Sequence, residues 1–150
     1  MRKKREIVDG ATYHVTSRTN NKINVFNTIA GRRVMQSVLT KAKEKFNFML
    51  FNFCVMPTHI HLLIKPIEGT NLDRIMQWIK TTSAKYWNNI QNTTDHLWGE
   101  RYFSRIIKSQ NEYDTVMNYI DQNPVKAGLV TDPADWKISG AYFRKHDIEI

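Results

Sequence analysis

Cysteine is scarce in this sequence, in which Cys54 is the one thiol among 150 residues. A single thiol excludes an internal disulfide and a zinc site built from several thiolates. Cys54 stands inside the apolar run 51–56, which predicts a small buried hydrophobic side chain. The chain must therefore fold on an ordinary apolar core, and a metal site must use other ligands.

Long apolar runs and flexible linkers are also missing. No run approaches the roughly 18 residues that cross a bilayer, and the basic start of the chain lacks the apolar stretch of a secretory signal. There is no repeat, low-complexity tract or Gly/Ser linker. Because 41% of residues are hydrophobic and 24% are charged, the composition is that of a globular protein. We expect one domain over residues 1–150 and a cytoplasmic location.

Acidic residues are in the minority. The sequence has 14 Asp and Glu against 22 Lys and Arg, which gives a formal net charge of +8. This surplus favours a polyanionic partner, most often nucleic acid, although a solubilising surface has the same composition. Composition alone does not choose between the two.

The first half of the chain alternates between strand and helix patterns. Residues 12–18 are rich in β-branched and aromatic side chains and predict a strand, and a helical stripe predicts a helix at 31–46. The continuous apolar run 48–56 predicts a buried strand, and alternation predicts another strand at 59–65.

The second half adds an amphipathic helix at 72–92 and a strand at 97–108, interrupted at residues 99 and 100. A last helix begins near residue 111 and should end at Asn123, because Pro124 disfavours helical geometry there. The order predicts an α+β fold of the ferredoxin-like or RNA-recognition-motif type. In such a fold an antiparallel sheet carries two helices on one face. The last helix, which carries Tyr119, is free to lie near the other face.

The sharpest local feature is the histidine pair His59 and His61, on either side of Ile60. Side chains alternate along a strand, so both imidazoles project from one face, with α-carbons roughly 6.5 Å apart. Neutral histidine is the commonest metal ligand, and two imidazoles can converge on one divalent ion. Two ligands do not make a site, however, and a half-exposed histidine pair that binds nothing fits the same pattern.

A reactive group and a third ligand stand on the last helix. Tyr119 and Asn123 are four residues apart and are therefore neighbours on one helical face. When each residue is taken alone, ordinary packing accounts for the tyrosine as well as a catalytic role does. The end of a helix accounts for the asparagine as well as metal binding does. Their combination with the histidine pair favours chemistry.

These segments resemble a known family. The sequence His59-Ile60-His61 matches the His-hydrophobic-His motif of the HUH nucleases. Residues 119–130 resemble the tyrosine helix of the REP-associated tyrosine transposases, relatives of the single-tyrosine insertion-sequence transposases. Residues 13–20 and 97–103 are similar to other family segments in the same order. The resemblance thus covers about residues 13–130.

The resemblance implies a metal-dependent transposase that cleaves and rejoins single-stranded DNA. It implies metal ligation by His59 and His61, with Asn123 completing the set, and a divalent ion, Mg²⁺ or Mn²⁺. It implies that Tyr119 is the nucleophile and forms a 5′-phosphotyrosine. Many insertion-sequence relatives have Gln where this chain has Asn123. The implied partner is single-stranded or hairpin DNA, and the likeness to the REP-associated group favours a monomer over a homodimer.

Basic and aromatic residues are spread over several predicted elements, a composition that suits single-stranded nucleic acid. Arg18 and Arg101 are the predicted DNA contacts, because they stand in family-like segments. His14 is placed to neighbour the histidine pair, although we favour a hydrogen-bonded structural role for it. Two other functions stay open: a non-catalytic module that binds hairpin or single-stranded nucleic acid, and a metal-dependent hydrolase that does not use the tyrosine.

Overall fold

Four antiparallel strands form one sheet in the computed structural model, which describes residues 4–99 and 101–149. The strands are β1 (Tyr13–Arg18), β2 (Phe48–Met56), β3 (His59–Pro66) and β4 (Phe103–Ile106). Their order across the sheet is β2-β3-β1-β4. The two strands that carry the sequence motifs, β1 and β3, are therefore central neighbours, and β4 lies at an edge.

The helices are α1 (Ile29–Lys45), α2 (Leu72–Gln91), α3 (Gln110–Lys126) and the short α4 (Gly140–Lys145). Side-chain oxygens at their N-caps accept backbone N–H bonds and help to define where each helix begins, as at Thr28 for α1. None of the helices in the described part of the chain is long and apolar enough to cross a membrane.

Alternation along the strands produces two apolar layers. In β3, Ile60, Leu62 and Ile64 belong to the main core, together with the buried faces of α1 and α2. Leu63 belongs to a second cluster on the opposite face, which includes Val116 of α3. The predicted fold class, an antiparallel sheet with two helices on one face and the tyrosine helix near the other, is confirmed.

The predicted end of the last helix is wrong. α3 continues through Pro124 to Lys126 and does not end at Asn123. Proline inside a helix removes one N–H donor and crowds the carbonyl of residue i−4, but burial of the Pro124 ring offsets this cost. The helix is closed instead by N–H groups beyond it, from Ala127 to the Asn123 carbonyl and from Leu129 to the Pro124 carbonyl. Asn123 therefore keeps helical geometry.

The predicted strand at 97–108 is also too long. Only Phe103–Ile106 forms a continuous ladder, with β1. Trp98 makes a single bridge to Thr19, and the Gly99 N–H binds the Arg18 carbonyl. The described residues 101 and 102 are not part of a strand, and the four-residue β4 is what remains of the predicted element.

Residues 136–138, which follow α3, contact β2, and this contact was not predicted from the sequence. The Val55 N–H donates to the Ile138 carbonyl at 2.9 Å. The Trp136 indole donates to the Val55 carbonyl at 2.9 Å. These contacts join residues about eighty positions apart, so no local pattern reveals them.

A buried polar network ties α3 to β2 and α4. Asn52 is 1% exposed and lies at an irregularity in the pairing of β2 with β3. Its amide donates to the Met117 carbonyl at 3.1 Å and to the Asp121 carboxylate at 2.8 Å. Its carbonyl oxygen accepts from the Phe53 N–H. Arg144 binds both Asp121 oxygens at 2.7 Å. We call these residues the Asn52 network.

We predict that Asn52→Ala lowers the free energy of unfolding by about 2–4 kcal/mol, because several buried polar groups lose a partner together. Urea unfolding followed by circular dichroism measures the change. Met49→Ala, on the same strand at a side chain that is 47% exposed, is the matched control. An Asn52→Ala curve that overlays the control would show that the network contributes little to stability.

Candidate active site

His59 and His61 project from β3 toward α3. Their ring centroids are 4.9 Å apart and the rings are nearly perpendicular, at 85°. His61 is 2% exposed, and His59 is half-buried. The common face follows from the strand period of two, and Ile60 between them is buried in the core on the other side.

Tyr119 approaches His61 and His14 from α3. Its ring centroid is 5.6 Å from that of His61 and 5.8 Å from that of His14. The neighbouring Ile120 is fully buried under the helix, but the Tyr119 side chain is 45% exposed. The phenol is therefore beside the imidazoles and open to a ligand from solvent.

Asn123 lies one helical turn beyond Tyr119 and reaches the same histidine. Its amide nitrogen is 3.2 Å from the His61 Nε2 atom. Because the two ends of a carboxamide exchange places on a half-turn, its oxygen can face the same point. An amide oxygen and the His61 Nε2 lone pair are thus within reach of one cation.

The other nitrogen of His61 is held by β1. His61 Nδ1 lies 3.1 Å from the Thr16 hydroxyl and 3.1 Å from the His14 Nε2 atom. These contacts orient the ring so that Nε2 points toward α3. Thr16 was not among the site residues predicted from the sequence. The alternation of β1 was visible, but the register that sets Thr16 opposite His61 was not.

All three imidazoles are held neutral. Burial, with the charge of Arg18, lowers the pKa of His59 to about 4. Burial, with the neighbouring His59 and His14 and then Arg18, lowers the pKa of His61 to about 3. Burial, followed by Arg105, also lowers the pKa of His14. A neutral imidazole keeps the lone pair that a metal ion requires.

The two predicted DNA-binding arginines lie in different surroundings. Arg18 is exposed on β1, opposite His59, on the histidine face. Arg101 lines a groove beside β4 together with Tyr102 and Phe103. The structure thus brings Arg18 directly to the histidine pair, whereas Arg101 belongs to the rim of the neighbouring groove.

The donor set suits a divalent cation. Within residues 4–99 and 101–149, no three His, Cys, Asp or Glu side chains come together as ligands. Among the described residues, the Asn123 amide is a donor of another type that adjoins His61. Two imidazoles with an amide oxygen fit Mg²⁺ or Mn²⁺, and also accept Zn²⁺ or Ni²⁺.

Comparison with known proteins gives two sequence relatives. The chain is 25% identical over 114 residues to a putative REP-associated tyrosine transposase of Haemophilus influenzae, across 69% of this chain and 65% of that protein. The match thus spans just under two thirds of that relative. It is 23% identical over 142 residues to the REP-associated tyrosine transposase of Escherichia coli K12, across 91% of this chain and 79% of that one.

Two solved structures share the fold. A REP-associated tyrosine transposase bound to a REP hairpin superposes with a TM-score of 0.81 at 21% identity, over 100% of this chain and 88% of that chain. A putative transposase from Deinococcus radiodurans gives a TM-score of 0.56 at 20% identity, over 81% of this chain and 97% of that chain.

Membership of a family is shown by a match to the sequence model of that family and does not rest on these pairwise similarities. The model described as "Transposase IS200 like" matches residues 7–123, which is most of the chain and contains His59, His61, Tyr119 and Asn123. The resemblance to REP-associated tyrosine transposases is confirmed, and this chain belongs to the IS200-like transposase family.

Proposed function

We propose that this protein is a metal-dependent transposase that cleaves and rejoins single-stranded DNA through a 5′-phosphotyrosine at Tyr119. The observation that carries the proposal is that an exposed phenol lies beside the neutral imidazole of His61, at a ring distance of 5.6 Å, and that His61 in turn adjoins the neutral imidazole of His59. The Asn123 amide adjoins His61.

His59, His61 and Asn123 are the residues that would hold the metal. A divalent ion there, Mg²⁺ or Mn²⁺, would supply Lewis acidity toward a phosphate oxygen and toward the leaving 3′ oxygen. Thr16 and His14 keep the His61 ring in its orientation, and Arg18 adds positive charge for the phosphodiester.

Tyr119 would act as the nucleophile. Its phenol oxygen loses a proton and forms a bond to the phosphorus, while the bond from phosphorus to the 3′ oxygen breaks and a 3′-hydroxyl is released. The covalent link conserves the phosphodiester energy, so a second 3′-hydroxyl can attack the phosphotyrosine, free Tyr119 and join two strands. No nucleotide cofactor is consumed.

The proposed partner is single-stranded DNA that carries a hairpin. The net charge of +8 and the hairpin bound by the structural neighbour support it. We further infer that one domain, residues 1–150, carries the whole site in a monomer. The contact of Tyr119 with His61 and His14 of its own chain supports this arrangement.

We predict that Tyr119→Phe abolishes the covalent protein–DNA adduct. Wild-type protein, Mn²⁺ and a labelled single-stranded hairpin oligonucleotide should give a band that resists denaturing electrophoresis, and the variant should give none. Tyr113→Phe, on the same helix with its ring packed on Phe51, is the matched control and should keep the adduct.

The same gel separates the rival functions. Strand cleavage that survives Tyr119→Phe would identify a hydrolase that does not use the phenol. Tight hairpin binding by wild type with neither cleavage nor adduct would identify a non-catalytic binding module. Either result would contradict the proposed transposase.

We predict that His61→Ala weakens Mn²⁺ binding by at least about tenfold, because it removes a proposed direct ligand. Loss of a residue that only orients a metal ligand already lowers metal affinity by about this factor. Isothermal titration calorimetry of the purified protein measures it without any reaction. His96→Ala, at an exposed histidine outside the cluster, is the control. Equal affinity for all three proteins would remove His61 from the ligand set.

We predict that an equimolar mixture of Tyr119→Phe and His61→Ala gives no adduct. In a monomer, each chain lacks one half of its own site, so neither can complete the other. A mixture that regains a substantial fraction of wild-type adduct would show that the tyrosine acts on the histidines of a second chain. Sedimentation of the mixture reports its oligomeric state.

A further inference from the structure

Two aromatic side chains stand out by exposure among residues 4–99 and 101–149. Phe103 is 68% exposed and Tyr119 is 45% exposed, and every other Phe, Tyr or Trp there is at least partly buried. Tyr119 already has a proposed role at the histidine pair. Phe103, at the start of β4, has none.

Strand register sets Phe103 on the face of the histidines. Phe103 stands opposite Thr16 in the pairing of β4 with β1, and Thr16 stands opposite His61 in the pairing of β1 with β3. Residues directly opposite each other share a face of the sheet. Phe103 is therefore two strands from His61, roughly 10 Å across the sheet.

Phe103 also borders a cationic groove. The groove has a volume of about 880 Å³ and runs along the outer edge of β4. Its lining contains five cationic side chains and two acidic ones, Glu6 and Glu112. The cationic residues are Lys4, Arg5, Arg101, Arg105 and Lys108. We call it the β4 groove. A concave surface of this charge with apolar patches complements a polyanion that has flat apolar bases.

The far wall of the β4 groove is fixed in place. The Arg5 guanidinium lies 3.5 Å from the centroid of the Tyr102 ring and donates to the Tyr102 carbonyl at 2.6 Å. Asp73 accepts from both Arg5 and the Tyr102 hydroxyl. These contacts hold the N-terminal segment beside β4, so the groove is formed before a ligand arrives.

One cation of the β4 groove is close to the reaction centre and loosely paired. Arg105 stands opposite His14, which contacts both His61 and Tyr119. It forms an ion pair with Glu112 at 3.4 Å, in which the Arg105 side chain is exposed and the Glu112 side chain is half-buried. Such surface pairs contribute little, so a DNA phosphate can replace the carboxylate.

We propose that the β4 groove binds the unpaired nucleotides that flank the scissile phosphate, with one base stacked on Phe103 and the phosphates beside Arg105 and Lys108. The proposal rests on the proposed function, because it supplies a path for the strand that Tyr119 attacks. A stacked base is held by its π face, so the subsite accepts any base and adds affinity rather than sequence recognition.

Fluorescence anisotropy of the full chain tests this in EDTA, where no strand is cleaved. The probes are a fluorescein-labelled 20-mer of thymidine and an abasic 20-mer with the same number of phosphates. Phe103→Ala should weaken binding of the thymidine oligomer at least about fivefold and leave binding of the abasic oligomer unchanged. Phe103→Trp should keep wild-type affinity. Lys108→Gln should weaken both probes equally, because it removes a phosphate contact.

Ile29→Ala is the matched control, at a side chain that is 71% exposed on α1, which covers the other face of the sheet. Equal affinity of Phe103→Ala and Ile29→Ala for the thymidine oligomer overturns the stacking subsite and leaves the groove to a peptide or another chain segment. Failure of wild type to bind that oligomer also overturns it. The adduct assay with Tyr119→Phe is scored separately, so the subsite and the transposase can fail independently.

Discussion

The register between β1 and β3 is the constraint on which the rest of the site depends. Thr16 stands opposite His61, and Arg18 stands opposite His59. That register puts these four side chains on the face of the sheet that carries α3, while Ile60 faces the main core. A slip of one residue would exchange the two sets, because the side-chain period of a strand is two. The imidazoles would then enter an apolar layer without partners. Burial of the apolar side chains in the core therefore fixes the register, and with it the positions of the two imidazoles.

The helix that carries Tyr119 is held to this sheet by an apolar contact and by a polar one. Val116 and Ile120 pack against the apolar cluster on the histidine face. Asp121, two residues beyond the tyrosine, binds the buried Asn52 amide. The helix is thus fixed in position while the phenol itself stays 45% exposed. A rigid backbone with an accessible oxygen is the arrangement that in-line attack on a phosphate requires.

Short-range periodicity predicted most of the fold, because β3 and α2 each have an apolar set that only one period fits. The helix was predicted to end at Asn123 because proline is unfavourable inside a helix. That prediction was wrong, because the turn that ends the helix lies further along the chain, at Gly128. In the site, the face shared by His59 and His61 was predictable from alternation. The contact of Thr16 with His61 was not, because strand register is set by packing between distant segments.

Charge links the parts of the site that geometry brings together. Arg18 helps to lower the pKa of both His59 and His61, and the same guanidinium repels any cation that those rings bind. A DNA phosphate brings the negative charge that offsets this repulsion, and it is attracted by Arg105 as well. The strand and the cation are therefore expected to favour each other's binding, and such coupling is reciprocal. In the proposed transposase, the positive surface would therefore couple the binding of the cation to the binding of DNA, in addition to attracting DNA.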